Sequence, residues 1–343
     1  MACGQSVRVL IRRMFERANS ARGAQSATLR FGFLLAPRFS MMSLSSAIEP
    51  IRVANRLLGR SAFEWRTCST DAKSVSASND LVIEAEAVAK VVEEVDALVL
   101  CAGTRLDTAA EAPIIRAVRA AARRKRGIGG LSTATHILAR AGVLAGYRCT
   151  IHWENLPALR EEFPKLDVTE AIYEIDRDRL TSSGGTTALD MMLQIIMLRH
   201  GPDIAREVAA QFQHGKIRPH DERQTGWQQR NVTALPPILR RATTIIQANI
   251  EEPVPITELA DRVGISQRQM ERLFAEQLSL SPKQYYLMLQ TERGRELLTY
   301  TEKPLVEIAV ATGFGSVAQF SKWFQHFHGQ LPSRYRKAGH LTR

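Results

Sequence analysis

The residues best placed to do chemistry include a serine in a tight turn. In the run Gly130-Leu131-Ser132-Thr133-Ala134, the serine follows a short apolar stretch and precedes a helical pattern. This is close to the G-x-S-x-G nucleophile elbow, in which a strained strand-to-helix turn exposes a serine hydroxyl, although Ala134 replaces the second glycine. The turn therefore predicts either a nucleophile or a binding site at residue 132.

A nucleophilic serine needs a general base within hydrogen-bonding reach. His136 lies one helical turn beyond Ser132, and His152 follows in the same region, so a Ser/His pair stays open on the sequence. The cysteines are scattered without the spacing of a zinc site or a disulfide framework; they are Cys3, Cys68, Cys101 and Cys149. The sequence predicts neither a metal nor a cofactor.

The same turn could bind a small metabolite instead of attacking one. Backbone N–H groups at the start of a helix favour a carboxylate, so Ser132, Thr133 and Ala134 are candidate contacts for an acid group. Trp153 and Glu154 are candidates for a cationic end of the same ligand, through the ring face and the carboxylate respectively. Trp153 could equally be a core or dimer contact.

A second set of candidates lies in an internal repeat near the C-terminus. Residues 258–264 and 307–313 carry Glu, Ala and Gly at the same spacing, and later positions match at an offset of 50, such as Phe274 with Phe324. Each copy has the pattern of a short helix, a turn at the glycine and a second helix. The repeat predicts two helix-turn-helix motifs.

The second helix of each motif begins with an S-x-x-Q capping box, Ser266 to Gln269 and Ser316 to Gln319. Its apolar stripe is predicted to be buried, and consists of Met270, Leu273, Phe274 and Gln277 in one copy and Phe320, Trp323, Phe324 and Phe327 in the other. The opposite faces would read bases in the major groove through Gln267, Arg268, Glu271 and Arg272, and through Val317, Ala318, Ser321 and Lys322. A helical spacer over residues 283–299, about 25 Å long, would separate the two readers.

The C-terminal region resembles the DNA-binding domain of AraC/XylS-type activators. The resemblance rests on motifs at residues 256–260, 281–285, 308–314, 316–324 and 331–336. It implies a two-motif reader of promoter DNA that acts with RNA polymerase, and a first recognition helix that discriminates more strongly than the second. Net charge gives weaker support for DNA binding. Residues 237–343 contain 14 basic and 10 acidic residues, so most of the whole chain's net charge of +11 lies outside this region.

The elbow must be positioned by an α/β domain. Apolar runs at 29–35, 63–70, 97–101 and 127–131 alternate with helical patterns near 43–58, 108–125 and 133–142. This alternation predicts a doubly wound parallel sheet, whose sites lie at the carboxyl ends of the strands. The long apolar pattern over residues 188–212 is predicted to be helical and to close the domain.

Several segments of this half resemble the PfpI-like branch of the class I glutamine amidotransferase-like, flavodoxin-like fold. They lie at residues 39–42, 47–55, 139–146, 150–153 and 181–190. From about Leu29 the chain resembles the GlxA family of regulators, in particular the members that sense arginine, carnitine or glycine betaine. Enzymes of the fold carry an elbow cysteine and an acidic partner, whereas this chain has Ser132 and Ser40, so the resemblance implies that it is not an enzyme.

The 343 residues, 45% of them hydrophobic, suit two globular domains and contain no apolar run long enough to cross a membrane. We expect a disordered leader at 1–28, a sensor domain at 29–213, a linker at 214–236 and a DNA-binding domain at 237–343. The predicted function is a cytoplasmic, ligand-responsive activator of catabolism of a small amino acid or quaternary amine. The resemblance also implies a homodimer, because sensor domains of the family commonly pair. The alternative is a PfpI-like amidohydrolase or peptidase with an appended helical domain.

Overall fold

The computed structural model describes residues 28–103, 108–224, 235–301 and 303–341. The chain divides into two compact units, residues 1–224 and 225–343. Apart from Thr28, the predicted leader lies outside the described residues. Each unit has its own apolar core, as expected for separate domains.

The first unit is built on a seven-stranded sheet. The strands of the unit are β1 (Leu29–Leu35), β2 (Phe63–Ser69), β3 (Val75–Ser76), β4 (Val82–Ile83), β5 (Glu86–Ala87), β6 (Ala97–Cys101), β7 (Gly127–Leu131), β8 (Arg148–Cys149), β9 (Asp167–Val168), β10 (Tyr173–Asp176) and β11 (Arg179–Ser182). The strand order in the large sheet is β10-β11-β7-β6-β1-β2-β5. All neighbours in it pair in parallel except β10, which runs antiparallel to β11 at one edge. The pairs β3–β4 and β8–β9 form two small separate sheets.

Helices cover both faces of this sheet, and an apolar cluster lies on each face. The α-helices of the first unit are α1 (Met41–Leu58), α2 (Val88–Glu94), α3 (Thr108–Arg123), α4 (Ala134–Arg140), α5 (Leu156–Glu162), α6 (Thr187–His200) and α7 (Pro202–Gln211). A short 3₁₀ helix covers Trp153–Asn155. The doubly wound α/β fold predicted from the sequence is confirmed, and the central strands β1, β6 and β7 have the predicted bounds.

The helical pattern predicted over residues 188–212 is confirmed, although as two helices. The chain forms α6 and α7 with a break at Gly201, whose backbone φ is +90°. Pro202 follows, and proline has no backbone N–H to continue the hydrogen-bond ladder of α6. The break lets α7 fold back against α6, with Ala205 and Val208 buried in the same apolar cluster as Ile195.

The polar segment 214–224 packs onto the first unit. Asp190 on α6 is fully buried and accepts hydrogen bonds from His214 Nε2 at 2.8 Å and from Arg218 Nη2 at 2.6 Å. The buried Gln224 donates its Nε2 to the backbone oxygen of Ile151 at 2.8 Å. The segment predicted as a linker, residues 214–236, therefore begins inside the α/β unit, because partners far away in sequence hold its polar side chains.

The second unit is entirely helical in its described part. Its helices are α8 (Pro237–Ala248), α9 (Ile256–Val263), α10 (Gln267–Leu278), α11 (Pro282–Tyr300), α12 (Leu305–Ala311), α13 (Val317–His328) and α14 (Pro332–Leu341). The pairs α9–α10 and α12–α13 are the two motifs of the repeat. The predicted spacer over 283–299 lies within α11.

Candidate ligand and nucleic-acid sites

The elbow between β7 and α4 has the strained geometry that the sequence predicts. Ser132 has a backbone φ of +63°, in the left-handed region that residues other than glycine rarely adopt. Its N–H donates to the backbone oxygen of Ser182 at 2.9 Å, and its own oxygen accepts from His152 N at 3.5 Å. The turn is thus fixed from β11 on one side and from the segment after β8 on the other.

The elbow lies among the carboxyl ends of four neighbouring parallel strands, β11, β7, β6 and β1. Gly184, just after β11, lies so close that an added Cβ would be 2.8 Å from the Ser132 Cβ. Gly103, after β6, would place a Cβ 2.5 Å from the Arg38 oxygen and 3.0 Å from the Ser40 nitrogen, both after β1. Only glycine allows these loops to approach so closely. The elbow therefore lies at the carboxyl edge of the sheet, as predicted.

Hydroxyl groups connect these loops. Ser40 caps the N-terminus of α1, and its Oγ accepts from the backbone N of Ser43 at 3.3 Å and from the Ser43 hydroxyl at 3.0 Å. The N–H of Gly185 donates to Ser43 Oγ at 2.9 Å. Sequence reasoning did not select Ser43, Gly184 or Gly185 as site residues, although the Gly-Gly pair after a strand was a usable signal.

His136 does not form a pair with Ser132. Its Nε2 lies 2.7 Å from Glu162 Oε2, and Glu162 also accepts from Arg140 Nε at 3.0 Å. Burial alone would raise the pKa of Glu162, but the hydrogen bonds from His136 and Arg140 outweigh it and lower the pKa to about 2. The imidazole is thus part of an ion-pair network on the face of α4 and is not directed at the serine hydroxyl.

The second histidine, His152, lies beside the predicted ligand contacts Trp153 and Glu154. Burial lowers the pKa of His152, and the carboxylate of Glu154, 3.8 Å from Nδ1, opposes that shift. The ring of Trp153 is half-buried against the apolar cluster that includes Leu156, with its centroid 5.6 Å from that of His152. The backbone N–H of His152 contacts the backbone oxygen of Ser132 at the elbow. Trp153 and Glu154 are the next two residues in the chain, so both lie near the elbow.

The backbone amide of Ser132 is not available to the predicted carboxylate cradle. Its N–H continues the hydrogen bonding between β7 and β11. Thr133 and Ala134 stand where α4 begins, and the Thr133 Oγ1 is a buried atom without a hydrogen-bond partner in the described structure. Polar donors for an acid group therefore have to come from Thr133 and its neighbours and not from the serine amide.

The three described cysteines are buried in the cores of the first unit. Burial raises the pKa of Cys68 and of Cys149 to about 12, and it raises that of Cys101 as well. A neutral thiol is a poor nucleophile and a poor metal ligand. Within the described ranges, no group of three or more His, Cys, Asp or Glu is arranged to hold a metal ion, and no helix has the length and apolarity of a membrane span.

The recognition helix of the first motif is α10. A complete capping box starts it, since Ser266 Oγ accepts from Gln269 N while the Gln269 side chain accepts from Ser266 N. All four predicted base readers are exposed: Gln267, Arg268, Glu271 and Arg272. Gln267 donates to Glu271 at 2.9 Å, and Arg272 lies 3.7 Å from Glu276.

The buried stripe of α10 differs from the prediction at one position. Gln277 is exposed, and Leu278 packs against the core in its place, one turn beyond the buried Phe274. An apolar side chain gains more from burial than an amide that lacks a hydrogen-bond partner there. The rest of the predicted stripe is buried or half-buried.

The recognition helix of the second motif, α13, offers fewer exposed side chains. Ala318 and Lys322 are exposed, whereas Val317 and Ser321 are half-buried. The ammonium of Lys322 lies 5.9 Å from the centre of the Trp323 ring. Ser316 caps the helix by accepting from Gln319 N at 3.2 Å, which is one half of the capping box predicted there.

Comparison with known proteins supports the predicted fold of both units of the chain. Residues 33–198 match the DJ-1/PfpI family, and residues 259–338 match a helix-turn-helix domain. The chain is 38% identical over 308 residues to the HTH-type transcriptional regulator GbdR of Pseudomonas aeruginosa, covering 90% of this chain and 84% of that protein. It is 33% identical over 312 residues to the HTH-type transcriptional regulator GlxA of Rhizobium meliloti, covering 90% of this chain and 95% of the relative. The crystal structure of an AraC family transcriptional regulator from Pseudomonas putida is also similar, with 32% identity, a TM-score of 0.50, and coverage of 54% of this chain and 99% of that one.

Proposed function

The chain belongs to the AraC family of helix-turn-helix transcriptional regulators with a DJ-1/PfpI-like N-terminal domain, and on that premise we propose that a small molecule bound at the elbow controls its regulation of transcription. One observation carries the proposal. The chain has a strained elbow serine at the carboxyl edge of the sheet, but the neighbouring His136 is hydrogen-bonded to Glu162. A costly backbone conformation without a catalytic partner is explained by binding.

The proposed ligand is a small amino acid or quaternary amine. Its acid group would contact the Ser132 hydroxyl, Thr133 and Ala134, and its cationic end would face Trp153 and Glu154. The direct contact between Ser132 and His152 supports this grouping, because it brings the two predicted subsites together. An aromatic ring and a carboxylate both attract a cation.

Isothermal titration with glycine betaine, carnitine and arginine tests the elbow. We expect one of them to bind the wild-type protein and Ser132→Trp to weaken that binding at least about ten-fold, because the indole would occupy the elbow where the ligand is proposed to bind. The matched control is Ser61→Trp, an exposed serine at the amino end of β2, on the opposite edge of the sheet. Equal affinity in wild type and Ser132→Trp would exclude the elbow as the site.

We propose that the α/β unit has no hydrolase activity. Within the described residues, the hydrogen bonds of Ser132 run through its backbone. The resemblance to enzymes of the fold matches Ser40 with their acidic partner. A serine without a base stays protonated and reacts slowly. A fluorophosphonate probe that labels activated serines should leave Ser132 unmodified, while a serine hydrolase added to the same mixture is labelled. Labelling at Ser132 would favour the alternative, a PfpI-like hydrolase.

For DNA, we propose that α10 supplies most of the base discrimination through Arg268, Glu271 and Arg272. Arg268 makes no hydrogen bond or ion pair with the described residues, so its guanidinium is available to a guanine edge. On α13, Val317, Ala318, Ser321 and Lys322 would mainly add shape and phosphate contacts. The half-burial of Val317 and Ser321 supports this unequal division.

The Arg272→Ala variant tests the reading role. If Arg272 bridges a guanine, its loss should cost about 1–3 kcal/mol at one base pair and relax specificity there. The measurement is binding to a panel of duplexes that each carry one base-pair change. Arg206→Ala, an exposed arginine on α7 of the other unit, is the charge-matched control. A uniform loss across the panel would identify Arg272 as a phosphate contact.

We further propose that the protein is a cytoplasmic activator that acts with RNA polymerase at promoters and pairs as a homodimer. Transcription in vitro from a bound promoter, with and without the effector, tests activation, and sedimentation of the full chain tests pairing. Repression in that assay, or a monomer at micromolar concentration, would overturn the respective part.

A further inference from the structure

The turn of the second helix-turn-helix motif contacts the loop that leads into the first motif. The turn of the second motif contains Gly313, whose φ is +76°. A Cβ at this position would lie 2.6 Å from the backbone oxygen of Ile250 and 2.8 Å from that of Glu251. Ile250 and Glu251 belong to the loop between α8 and α9, which leads into the first motif. The turn of one motif therefore rests on the backbone entering the other.

Gln290 on α11 completes this contact. Its side chain is buried, with 3% exposure, and its Nε2 donates to Ile250 O at 3.0 Å. The same nitrogen would lie 2.5 Å from a Cβ at Gly313. A buried amide on the spacer helix is thus enclosed between the two motifs, and its hydrogen bond defines one relative position of α11 and the loop before α9.

The equivalent glycine of the first motif shows that this contact is not a general feature of the turn. Gly264 occupies the matching place in the repeat and has a similar φ of +80°, but a Cβ there would meet nothing within 4 Å. Both glycines are required by backbone conformation. Only Gly313 is also required by a close neighbour.

The second recognition helix is held on α11 by another close approach. Gly294, in the interior of α11, lies under the fully buried ring of Phe320, where an added Cβ would be 2.4 Å from Cε2. Glycine inside a helix is less favourable than alanine, because it loses more backbone freedom on folding. That cost is offset by bringing α13 close to the spacer, so α13 is positioned by α11 and not only by its own motif.

From these contacts we infer that Gln290, the Ile250–Glu251 backbone and Gly313 form an inter-motif clasp that sets the spacing and rotation between the two DNA-reading helices. This inference rests on the proposed use of both motifs for DNA. Gln290 and Gly313 are positioning residues that touch no base. With the clasp intact, α10 and α13 can meet their subsites only at one separation along the duplex, because an added base pair rotates the second subsite by about 35°.

The test uses full-length protein and a duplex selected from random sequence by the wild-type protein. Duplexes with one base pair inserted or removed between the two protected major-groove segments form a spacing series. We expect a one-pair change to weaken wild-type binding about ten-fold or more, as one motif is lost from a linked pair. In Gln290→Leu and Gly313→Ala the penalty should fall to about three-fold or less, with weaker binding to the original duplex.

Gly264→Ala is the matched control, since it carries the same positive-φ strain without the collision, and it should keep the wild-type spacing penalty. Thermal unfolding of every variant separates loss of the clasp from loss of the fold. A wild-type protein that tolerates the spacing changes, or folded clasp variants that keep the full penalty, would overturn the inference. Protection of only one major-groove segment by the wild-type protein would instead overturn the two-motif function on which the clasp depends.

Discussion

At the scale of single residues, Ser132 combines a strained backbone with an enclosed side chain. Its φ of +63° is shared by only a few described residues other than glycine, among them Ser279, which ends α10. Ser279 serves as a helix C-cap, where the left-handed conformation satisfies the last carbonyls. Ser132 has no such structural role, because β7 has already ended and α4 begins two residues later. The comparison points to the hydroxyl as the reason for a serine at the elbow.

Replacing Ser132 with glycine should therefore stabilise the protein. Glycine removes the left-handed strain, and we expect a gain of about 0.5–1 kcal/mol in the free energy of unfolding. Urea denaturation measures it, with Ser279→Gly as a positive control expected to gain a similar amount. The same Ser132→Gly variant should lose effector binding. A destabilised variant would mean that the hydroxyl has a structural partner.

The acid side of the stability profile should depend on Glu162. Because its pKa in the folded state is lowered to about 2, it contributes stability above pH 4.5 that is lost as the pH falls from 4.5 towards 2. Glu162→Gln should cost about 1–2 kcal/mol at pH 7, after allowance for partial exposure, and flatten the profile in that window. Urea midpoints against pH measure this.

The control for that profile is Glu64→Gln, at an exposed ion pair with Arg30, which should change little. A loss of stability between pH 6.5 and 4 would come from His200 instead of Glu162. Burial, together with Arg199 and Arg60, lowers the pKa of His200 in the folded protein to about 4, so in this window its imidazole takes up a proton more readily in the unfolded chain. A slope confined to that higher window in both variants would contradict the role of Glu162.

At the scale of elements, the segment 214–224 connects the α/β unit to the chain that leads to the DNA-binding unit. Asp190 holds it through His214 and Arg218, and Gln224 anchors its end beside Thr150, whose oxygen accepts from Thr135 Oγ1 on α4. A continuous set of buried hydrogen bonds thus runs from the helix after the elbow to the end of the first unit. These hydrogen bonds link the proposed ligand site to the segment that leads to the second unit.

Asp190→Asn should loosen that segment. Removing one partner from a buried ion pair leaves charges uncompensated, so we expect a loss of about 2–4 kcal/mol and faster tryptic cleavage after Lys216 and Arg218. Asp203→Asn, which breaks an exposed ion pair with Arg206 on α7, is the matched control and should leave both unchanged. Mass spectrometry of the fragments locates the cuts. Equal cleavage rates in the two variants would show that Asp190 does not hold the segment.

Elements that depend on local pattern were predictable from the sequence, and those that depend on distant partners were not. Strands β1, β6 and β7 are apolar runs buried on both faces, so composition alone locates them. Strand β11 is also buried, although its sequence, Arg-Leu-Thr-Ser, is mostly polar. Its burial is explained by hydrogen bonds to distant residues: Arg179 donates to the backbone oxygen of Val143, and Thr181 accepts from the backbone N–H of Thr150. The sequence likewise predicts a linker at 214–224, because the distant partners of its polar side chains are not visible in the sequence.

The candidate sites follow the same division. The elbow strain at Ser132 and the exposed face of α10 were predictable, because a turn motif and a helical period define them. The hydrogen bond between His136 and Glu162 and the contact of Gly313 with Ile250 were not predictable from the sequence. Each joins elements that are brought together only by the tertiary structure. Residues that are placed by several elements at once, such as Gln290, carry no sequence signal of their own.

At the scale of the whole molecule, the two units should be separable in function. Each has its own buried core, and the core of the second is formed entirely by residues after Thr225. A fragment of residues 225–343 is of ordinary domain size and is expected to fold alone. Since it contains both recognition helices and the clasp, it should bind the selected duplex with the same spacing penalty as the full chain.

The fragment should differ from the full chain in one respect, because it lacks the elbow. Added effector should change the footprint or transcriptional output of the full protein and leave those of the fragment unaltered, since a ligand shifts only an equilibrium in which it has differential affinity for the states. Footprinting both proteins side by side over a titration of effector makes the comparison. An effector response in the fragment would place the ligand site in the helical unit, and a fragment that folds but does not bind would show that the α/β unit contributes to DNA recognition directly.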